Sequence, residues 1–175
     1  MLLSNQGKAN KIKKERTVKR LMKLNSKEEI SNEDLDKIKY IRHPDFKASS
    51  VKAIYKLSKG HNGLEQALEN MVNDVEKKVD DGHNIIIISD RNINKKYAPI
   101  PILLACSCVH HSMIKRKKRS KFGIVIESAE PREPHHFSML FGYGASAINP
   151  YLVNEIITYH QEPRMKEHHQ DLMHG

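Results

Sequence analysis

Four consecutive isoleucines constrain this chain more than any other feature of its sequence. They lie in the segment 84–89, which leads into Asp90 and Arg91. A strand with one face in water alternates apolar and polar residues, whereas a run that is apolar at every position suits a strand covered on both faces. Such strands are typical of parallel sheets whose crossover helices pack on the faces. The run therefore predicts an α/β architecture.

The segments around this run alternate between strand and helix patterns. Strands are predicted at 50–57, 84–89, 122–128 and 147–150, and helices at 64–79, 102–115 and 134–143. The strand 50–57 is expected at an edge of the sheet, and the segment 60–63, Gly-His-Asn-Gly, is expected to break the chain before the first helix. This alternation predicts a mostly parallel sheet with crossover helices.

Shorter helices are predicted at both ends of this unit. The first has Ser31 as its N-cap, with Asp34 three residues further on. It ends before His43 and Pro44, because proline disfavours helix for the residue that precedes it. The last helix is expected around 153–157.

The positive charge lies in the N-terminal part of the chain. The net charge of +9 is held by the first 60 residues, with 16 Lys and Arg against 7 Asp and Glu, and the remainder is neutral. We predict a loosely ordered basic arm at 1–28, an α/β domain at 29–160 and a polar, His-rich tail at 161–175. A basic arm suits a nucleic acid or an acidic partner, and the other interpretation is a solvated helix or disordered arm.

Composition favours an intracellular setting. Cys106 and Cys108 are the two cysteines of the chain, which rules out a disulfide framework. No apolar run approaches the roughly 20 residues that span a bilayer, and no signal peptide or other targeting segment is predicted at the N-terminus. We therefore expect a cytoplasmic protein without membrane association.

Polar residues cluster after the predicted strands. Function in parallel α/β folds lies at the C-terminal ends of the strands. The candidates there are Asp90, Arg91, Glu127, Arg132, Glu133, His135, His136 and Asn149. These groups can bind ligands or transfer protons, or they can simply pair with their neighbours and cap the next helix. We expect the second role.

Other suggestive motifs have ordinary structural interpretations. The pairs 110–111 and 135–136, both His-His, make no chelate by themselves, because adjacent helical residues point about 100° apart; a core or cap role is expected. The thiols of Cys106 and Cys108 face nearly opposite sides of a helix, which is neither a zinc nor an iron–sulfur signature. The segment 142–145, Gly-Tyr-Gly-Ala, predicts a helix C-cap and a tight turn.

The segment 115–121 holds six basic residues in seven. It can grip phosphates, but it has no interleaved aromatic residues for stacking on bases. We expect a solvated loop. Together with the arm, this run gives the alternative function of a small nucleic-acid or acidic-partner binding module, although nucleic acid is not the favoured partner.

These motifs together closely resemble the central domain of the glutamate synthase large subunit. The resemblance covers about residues 30–155 in one register. It is carried by the segments 43–46, 63–68, 87–91, 98–105, 109–111, 125–128, 132–133, 135–137, 142–145 and 149–152. This chain departs from the family pattern at Ser112, where relatives tend to have a third His, and at Pro131 and Pro134.

The resemblance implies a (β/α)-barrel-like or partial-barrel domain that performs no catalysis itself. In that family, an amidotransferase domain releases ammonia from glutamine, and a protected tunnel leads it to an FMN domain that converts 2-oxoglutarate to glutamate. The central domain lies between these two partners. FMN and an iron–sulfur cluster would belong to the other domains, and this chain has no Cys triplet for the cluster. Nor does it show the N-terminal Cys nucleophile of the amidotransferase domain.

The resemblance also implies that the chain is a fragment or split piece of the enzyme. Its location would be the cytoplasm, or a plastid in a photosynthetic eukaryote. The loop 127–136 would then be a buried junction that faces a neighbouring domain.

Overall fold

The computed structural model describes residues 28–160, so most of the basic arm and all of the His-rich tail lie outside the described range. Its elements are β1 (Glu28–Glu29), α1 (Asn32–Lys39), β2 (Ala48–Lys52), β3 (Ile54–Lys56), α2 (Gly60–Asp80), β4 (Ile85–Ser89), β5 (Tyr97–Pro99), α3 (Ile102–Lys115), β6 (Gly123–Glu127), α4 (Pro134–Gly142), β7 (Ala145–Asn149) and α5 (151–160). None of the helices within 28–160 is long and apolar enough to cross a bilayer.

Five strands form one sheet in the order β1-β7-β6-β4-β2, and every neighbouring pair is parallel. From β2 through β4 and β6 to β7, the spatial order follows the chain order, as it does in the wall of a (β/α) barrel. The described sheet stays open, with β1 and β2 at its edges. The predicted parallel α/β sheet with crossover helices is thereby confirmed.

The isoleucine strand β4 is buried on both faces, as its sequence predicts. Ile86 and Ile88 belong to the core that α2, α3 and α4 share with the sheet, whereas Ile85 and Ile87 belong to a second core that α1 covers. All four side chains are at most 2% exposed. Fully burying such a side chain contributes about 1.5–3 kcal/mol, so a polar residue at any of these positions would be costly.

Helix α1 begins and ends where the sequence predicts. The backbone N–H of Asp34 donates to Ser31 Oγ at 3.1 Å, which makes Ser31 the N-cap. The helix ends at Lys39, ahead of Pro44. It connects β1 at one edge of the sheet to β2 at the other, so the cap and the helix end fix how α1 crosses the sheet face.

The strand predicted at 50–57 does lie at an edge of the parallel sheet, but it is not one strand, because it is divided into β2 and β3. The chain leaves the parallel sheet after β2, and β3 pairs antiparallel with β5 in a separate two-stranded sheet. Ala53 makes the change of direction: its N–H donates to Ser89 O at 2.7 Å, and its carbonyl accepts from Ile100 N–H at 2.8 Å. The apolar-polar alternation runs through this residue, so the pattern does not mark the change of sheet.

The break predicted at 60–63 is also wrong, because α2 begins at Gly60 and includes Gly63. A short 3-10 turn, Leu57–Lys59, leads into the helix, and Gly60 takes a φ of 58°. That left-handed conformation is available to glycine without steric cost. A side chain at Gly63 would lie 2.7 Å from Lys59 Cβ, so the second glycine lets the 3-10 turn pack closely on the helix.

The turn from α4 into β7 requires glycine at position 144. Gly144 has a φ of 94°, and a side chain there would overlap the ring of His110. Arg119 holds that ring in place, because its Nε donates to His110 Nδ1 at 3.0 Å while its Nη2 donates to Gly144 O at 2.6 Å. Burial and the adjacent Arg119 charge lower the pKa of His110, which keeps Nδ1 an acceptor. The helix C-cap and tight turn predicted for 142–145 are therefore confirmed.

Replacing Gly144 by Ala is expected to lower the free energy of unfolding by about 2 kcal/mol or more, because the backbone strain adds to displacement of His110. Urea denaturation measures the change. Gly142→Ala is the matched control: that glycine lies in α4 with nothing near its missing side chain, so alanine there is expected to stabilise by about 0.5–1 kcal/mol. Equal effects of the two substitutions would contradict this account of the turn.

Candidate functional site

The C-terminal end of β6 holds a carboxylate inside the protein. Glu127 is 2% exposed, and its Oε1 accepts from Lys39 Nζ at 2.8 Å and from Arg91 Nε at 2.6 Å. Burial alone would raise the pKa of Glu127, but the hydrogen bonds from Lys39, Ser89 and Arg91 outweigh it and hold that pKa below its usual value. Glu127 is therefore an ionised anchor that joins α1 to the ends of two strands.

Arg91 extends this network to α5. Its Nη2 donates to Glu155 Oε1 at 3.1 Å, and its guanidinium lies 3.9 Å from the centroid of the Tyr151 ring. Burial lowers the pKa of Arg91, but Glu127 and Glu155 outweigh it and hold the pKa above its usual value. Burial and the nearby Asp90 carboxylate raise the pKa of Tyr151 to about 12. The network therefore fixes α5 against the strand ends.

Asp90 directly follows β4, and Asn149 is the last residue of β7. These two strands lie on either side of β6, which ends at Glu127. Asp90 Oδ2 accepts from Ser128 Oγ at 2.6 Å, and Asn149 Nδ2 donates to Ile30 O at 3.0 Å. Both residues are at most 1% exposed. Asp90 Oδ1 and Asn149 Oδ1 accept no hydrogen bond from the described part of the chain. Four of the predicted candidates thus form one polar layer at the strand ends, in which Asp90, Glu127 and Asn149 are buried and the side chain of Arg91 is 37% exposed.

The other four candidates form a separate, exposed group at the start of α4. Glu133 is the N-cap residue, and its Oε2 lies 3.3 Å from His135 Nδ1. The backbone N–H of Arg132 donates to His136 Nδ1 at 3.2 Å. Arg132, Glu133 and His135 are exposed, and His136 is half-buried. Within the loop 127–136, the chain itself buries Glu127, Ser128 and Pro131, whereas Glu130 and the residues 132–135 are exposed.

A cavity of about 350 Å³ lies beside this exposed group. Its lining includes Ile102, Leu103, Glu130, His135, His136 and Met139. Glu130 Oε2 accepts from the backbone N–H of Ile102 at 3.1 Å, and so caps the start of α3. Glu130 is exposed as a whole, but the partial burial of its carboxyl group outweighs the hydrogen bond from Ile102 and, together with the nearby Asp90 charge, raises its pKa. The cavity therefore combines an apolar floor with one carboxyl group and two imidazoles.

Three participants in the polar layer escaped the sequence analysis. Lys39, Tyr151 and Glu155 all contact Arg91 or Glu127, and each lies on a helix. Tyr151 directly follows the predicted strand 147–150, whereas Lys39 and Glu155 lie away from the predicted strand ends. Lys39 is 88 residues from Glu127 in the chain. An acidic residue at a buried strand end does signal that a cation must come from elsewhere, but no local pattern says which one.

The basic run 115–121 is more than a solvated loop. Arg116 pairs with Glu76, and Lys118 lies 2.8 Å from the Glu76 carboxylate and 2.7 Å from that of Asp80. Arg119 donates to the carbonyl of Phe122 at 2.8 Å, besides its contacts with His110 and Gly144. Arg116 and Lys118 therefore tie the end of α3 to α2, and Arg119 ties it to the turn between α4 and β7. Fewer basic side chains of the run are then left to bind a phosphate backbone.

Comparison with known proteins identifies the chain. A family model described as "Glutamate synthase central domain" matches residues 1–174. The chain belongs to that family. The match extends into both terminal segments, which the resemblance seen in the sequence did not cover.

This chain is similar to part of several glutamate synthases. "Glutamate synthase [NADPH] large chain" of Bacillus subtilis (strain 168) is 41% identical over 133 residues, which is 76% of this chain and 8% of the relative. "Glutamate synthase [NADH]" of Schizosaccharomyces pombe is 38% identical over 116 residues, 66% of this chain and 6% of the relative. "Ferredoxin-dependent glutamate synthase, chloroplastic" of Spinacia oleracea is 35% identical over 118 residues, which is 66% of this chain and 7% of the relative. The chain thus spans less than a tenth of the length of each relative.

Replacing Glu127 by Gln is expected to lower the free energy of unfolding at neutral pH by about 1.5–3 kcal/mol, because Lys39 and Arg91 lose a charged acceptor. Since the folded pKa of Glu127 is lowered, the carboxylate stabilises the protein above the ordinary carboxyl pKa of about 4.3. That contribution is lost as the pH falls through the folded value. Urea denaturation between neutral and acidic pH should show the two proteins converging in acid.

Glu155→Gln is the matched control for this experiment. Its side chain also pairs with Arg91 but is 48% exposed, so we expect a loss of about 0–1 kcal/mol. A Glu127→Gln protein as stable at neutral pH as the Glu155→Gln protein would contradict the role of Glu127 as the anchor.

Proposed function

We propose that this chain is the connecting central domain of a glutamate synthase. It would link an amidotransferase domain, which releases ammonia from glutamine, to an FMN domain, where 2-oxoglutarate becomes glutamate. Family membership and the small share of each relative that the chain spans support this proposal. On this view the chain contributes to glutamate biosynthesis by positioning its partners and carries out no chemical step.

The state of Glu127 is the observation that carries the positioning role. A general acid or base works best when its pKa lies near the operating pH. Glu127 is instead held ionised by Lys39 and Arg91, with its pKa moved further from neutrality. A carboxylate in that state holds elements together and is a poor proton carrier. The state of Glu127 therefore supports a structural role for this residue rather than a catalytic one.

The exposed group at the start of α4 would meet a neighbouring domain. Arg132, Glu133 and His135 offer charged and hydrogen-bonding groups on the surface. Beside them, Met139 lines the same cavity as His135 and His136 and is 47% exposed. Apolar side chains with a polar surround are typical of an interface. The polar layer of Asp90, Arg91, Glu127 and Asn149 at the strand ends would support this surface.

The cofactors of the full enzyme would be held by the other domains. Iron–sulfur clusters are bound by cysteine thiolates, and the two cysteines of this chain do not fit that requirement. Cys106 is buried, its Sγ donates to Tyr143 O at 3.5 Å, and burial raises its pKa to about 12. We propose FMN and an iron–sulfur cluster as cofactors of the partners, and the cytoplasm or a plastid as the location.

A chimera tests the proposal. The matching 133-residue segment of the Bacillus subtilis large chain is replaced by the corresponding part of this chain, and glutamine-dependent glutamate formation is measured. We expect activity in the chimera. Met139→Glu in the chimera is expected to lower glutamine-dependent turnover by about tenfold, because a buried charge at an interface costs at least about 1.4 kcal/mol.

Ile114→Glu provides the matched control, because Ile114 is 49% exposed and lies near the opposite end of α3. It should leave the turnover of the chimera unchanged. The proposal would be overturned if Met139→Glu had no effect in an active chimera. It would also be overturned if the purified chain released ammonia from glutamine or bound FMN tightly.

A further inference from the structure

The first turn of α4 brings together three groups that can ligate a metal ion. One ligand atom from each of Glu133, His135 and His136 lies within 4.8 Å of the other two. The sequence argument against a chelate considers only the two adjacent imidazoles. It leaves out Glu133, which the extended backbone at the N-cap returns to the same side of the turn.

The spacing of these atoms is close to that of a zinc site. Zn–N and Zn–O bonds of about 2.0–2.2 Å at tetrahedral angles place neighbouring ligand atoms about 3.3–3.5 Å apart. Glu133 Oε2 and His135 Nδ1 already lie 3.3 Å apart. Both side chains are mostly exposed, at 64% and 68%, so small rotations bring the third ligand within range at little cost in packing.

We propose that Glu133, His135 and His136 form a binding site for a divalent transition-metal ion of the zinc class. Two imidazoles and one carboxylate are a known three-ligand set for zinc, and leave one position open. Because His135 and His136 line the cavity beside α4, that open position faces a space of about 350 Å³ that also contains Glu130. A water molecule or a small anionic ligand would complete the coordination.

Two local interactions act against the ion and are offset. The N-terminus of a helix disfavours a cation, but the charge of the Glu133 carboxylate opposes this effect. His136 Nδ1 accepts from the N–H of Arg132, so coordination must break that contact or change the tautomer. The lost hydrogen bond is exposed, and its cost of about 0.5–1.5 kcal/mol is small beside typical zinc affinities. The backbone amide of Arg132 thus reports on metal binding.

Zinc titration of the full chain tests the proposal. The tail residues His168, His169 and His174 can bind metal independently, so all three are first replaced by Gln. In that background, isothermal titration with Zn²⁺ is expected to show one site per chain. Glu133→Gln, His135→Gln and His136→Gln should each weaken binding by about 10- to 100-fold or more, because losing a ligand costs at least as much as losing a group that supports one.

His111→Gln is the matched control, since His111 is an exposed histidine outside the cluster. It should bind Zn²⁺ as the background protein does. Nuclear magnetic resonance should show the Arg132 amide shifting with Zn²⁺, and the shift should disappear in Glu133→Gln. The proposal is overturned if replacing the tail histidines alone abolishes binding, or if all variants bind equally, which would indicate an adventitious ion only. Neither result would affect the proposed connecting role.

Discussion

The Glu127 carboxylate is the interaction on which the arrangement of this domain most depends. It lies at the end of the central strand β6, where only 2% of its surface is exposed to solvent. Lys39 reaches it from α1, and Arg91 reaches it from the end of β4 and continues to α5. The buried charge of Glu127 therefore helps to position α1 and α5, the helices nearest the two ends of the described chain. An uncompensated charge at this depth would be strongly destabilising, so separating Lys39 of α1 or Arg91 from Glu127 would be costly.

The parallel sheet could be predicted from the sequence because its cause is local. Burial on both faces requires apolar residues at 85–88 of β4, and the same condition marks 124–126 of β6. The helix start at Ser31 and the turn at Gly144 were also predictable, because each depends on a side chain or backbone conformation that few residues allow. The resemblance to the glutamate synthase central domain added the identity of the family, which physical patterns alone do not give.

The remaining features depend on contacts that cross long stretches of chain. Nothing near Glu127 indicates that Lys39 is its partner, and the alternation through Ala53 hides the change from one sheet to the other. The separation of the candidate site into a polar layer at the strand ends and an exposed group at the start of α4 is likewise not indicated by the local sequence. Glu127 and Glu133 look alike in sequence, but one ends a central strand and the other caps a surface helix. Only the fold distinguishes an anchoring carboxylate from one available to a partner or an ion.

Hydrogen–deuterium exchange tests the central claim, that the exposed surface of α4 is covered by a neighbouring domain while the Glu127 network is complete within the chain. The comparison is between the isolated chain and the same segment inside the chimeric large chain. We expect the amides at 130–139 to exchange more slowly in the chimera than in the isolated chain. The amides of α1 and β4 should exchange equally in the two proteins. Equal exchange at 130–139, or new protection only at 115–121, would contradict it.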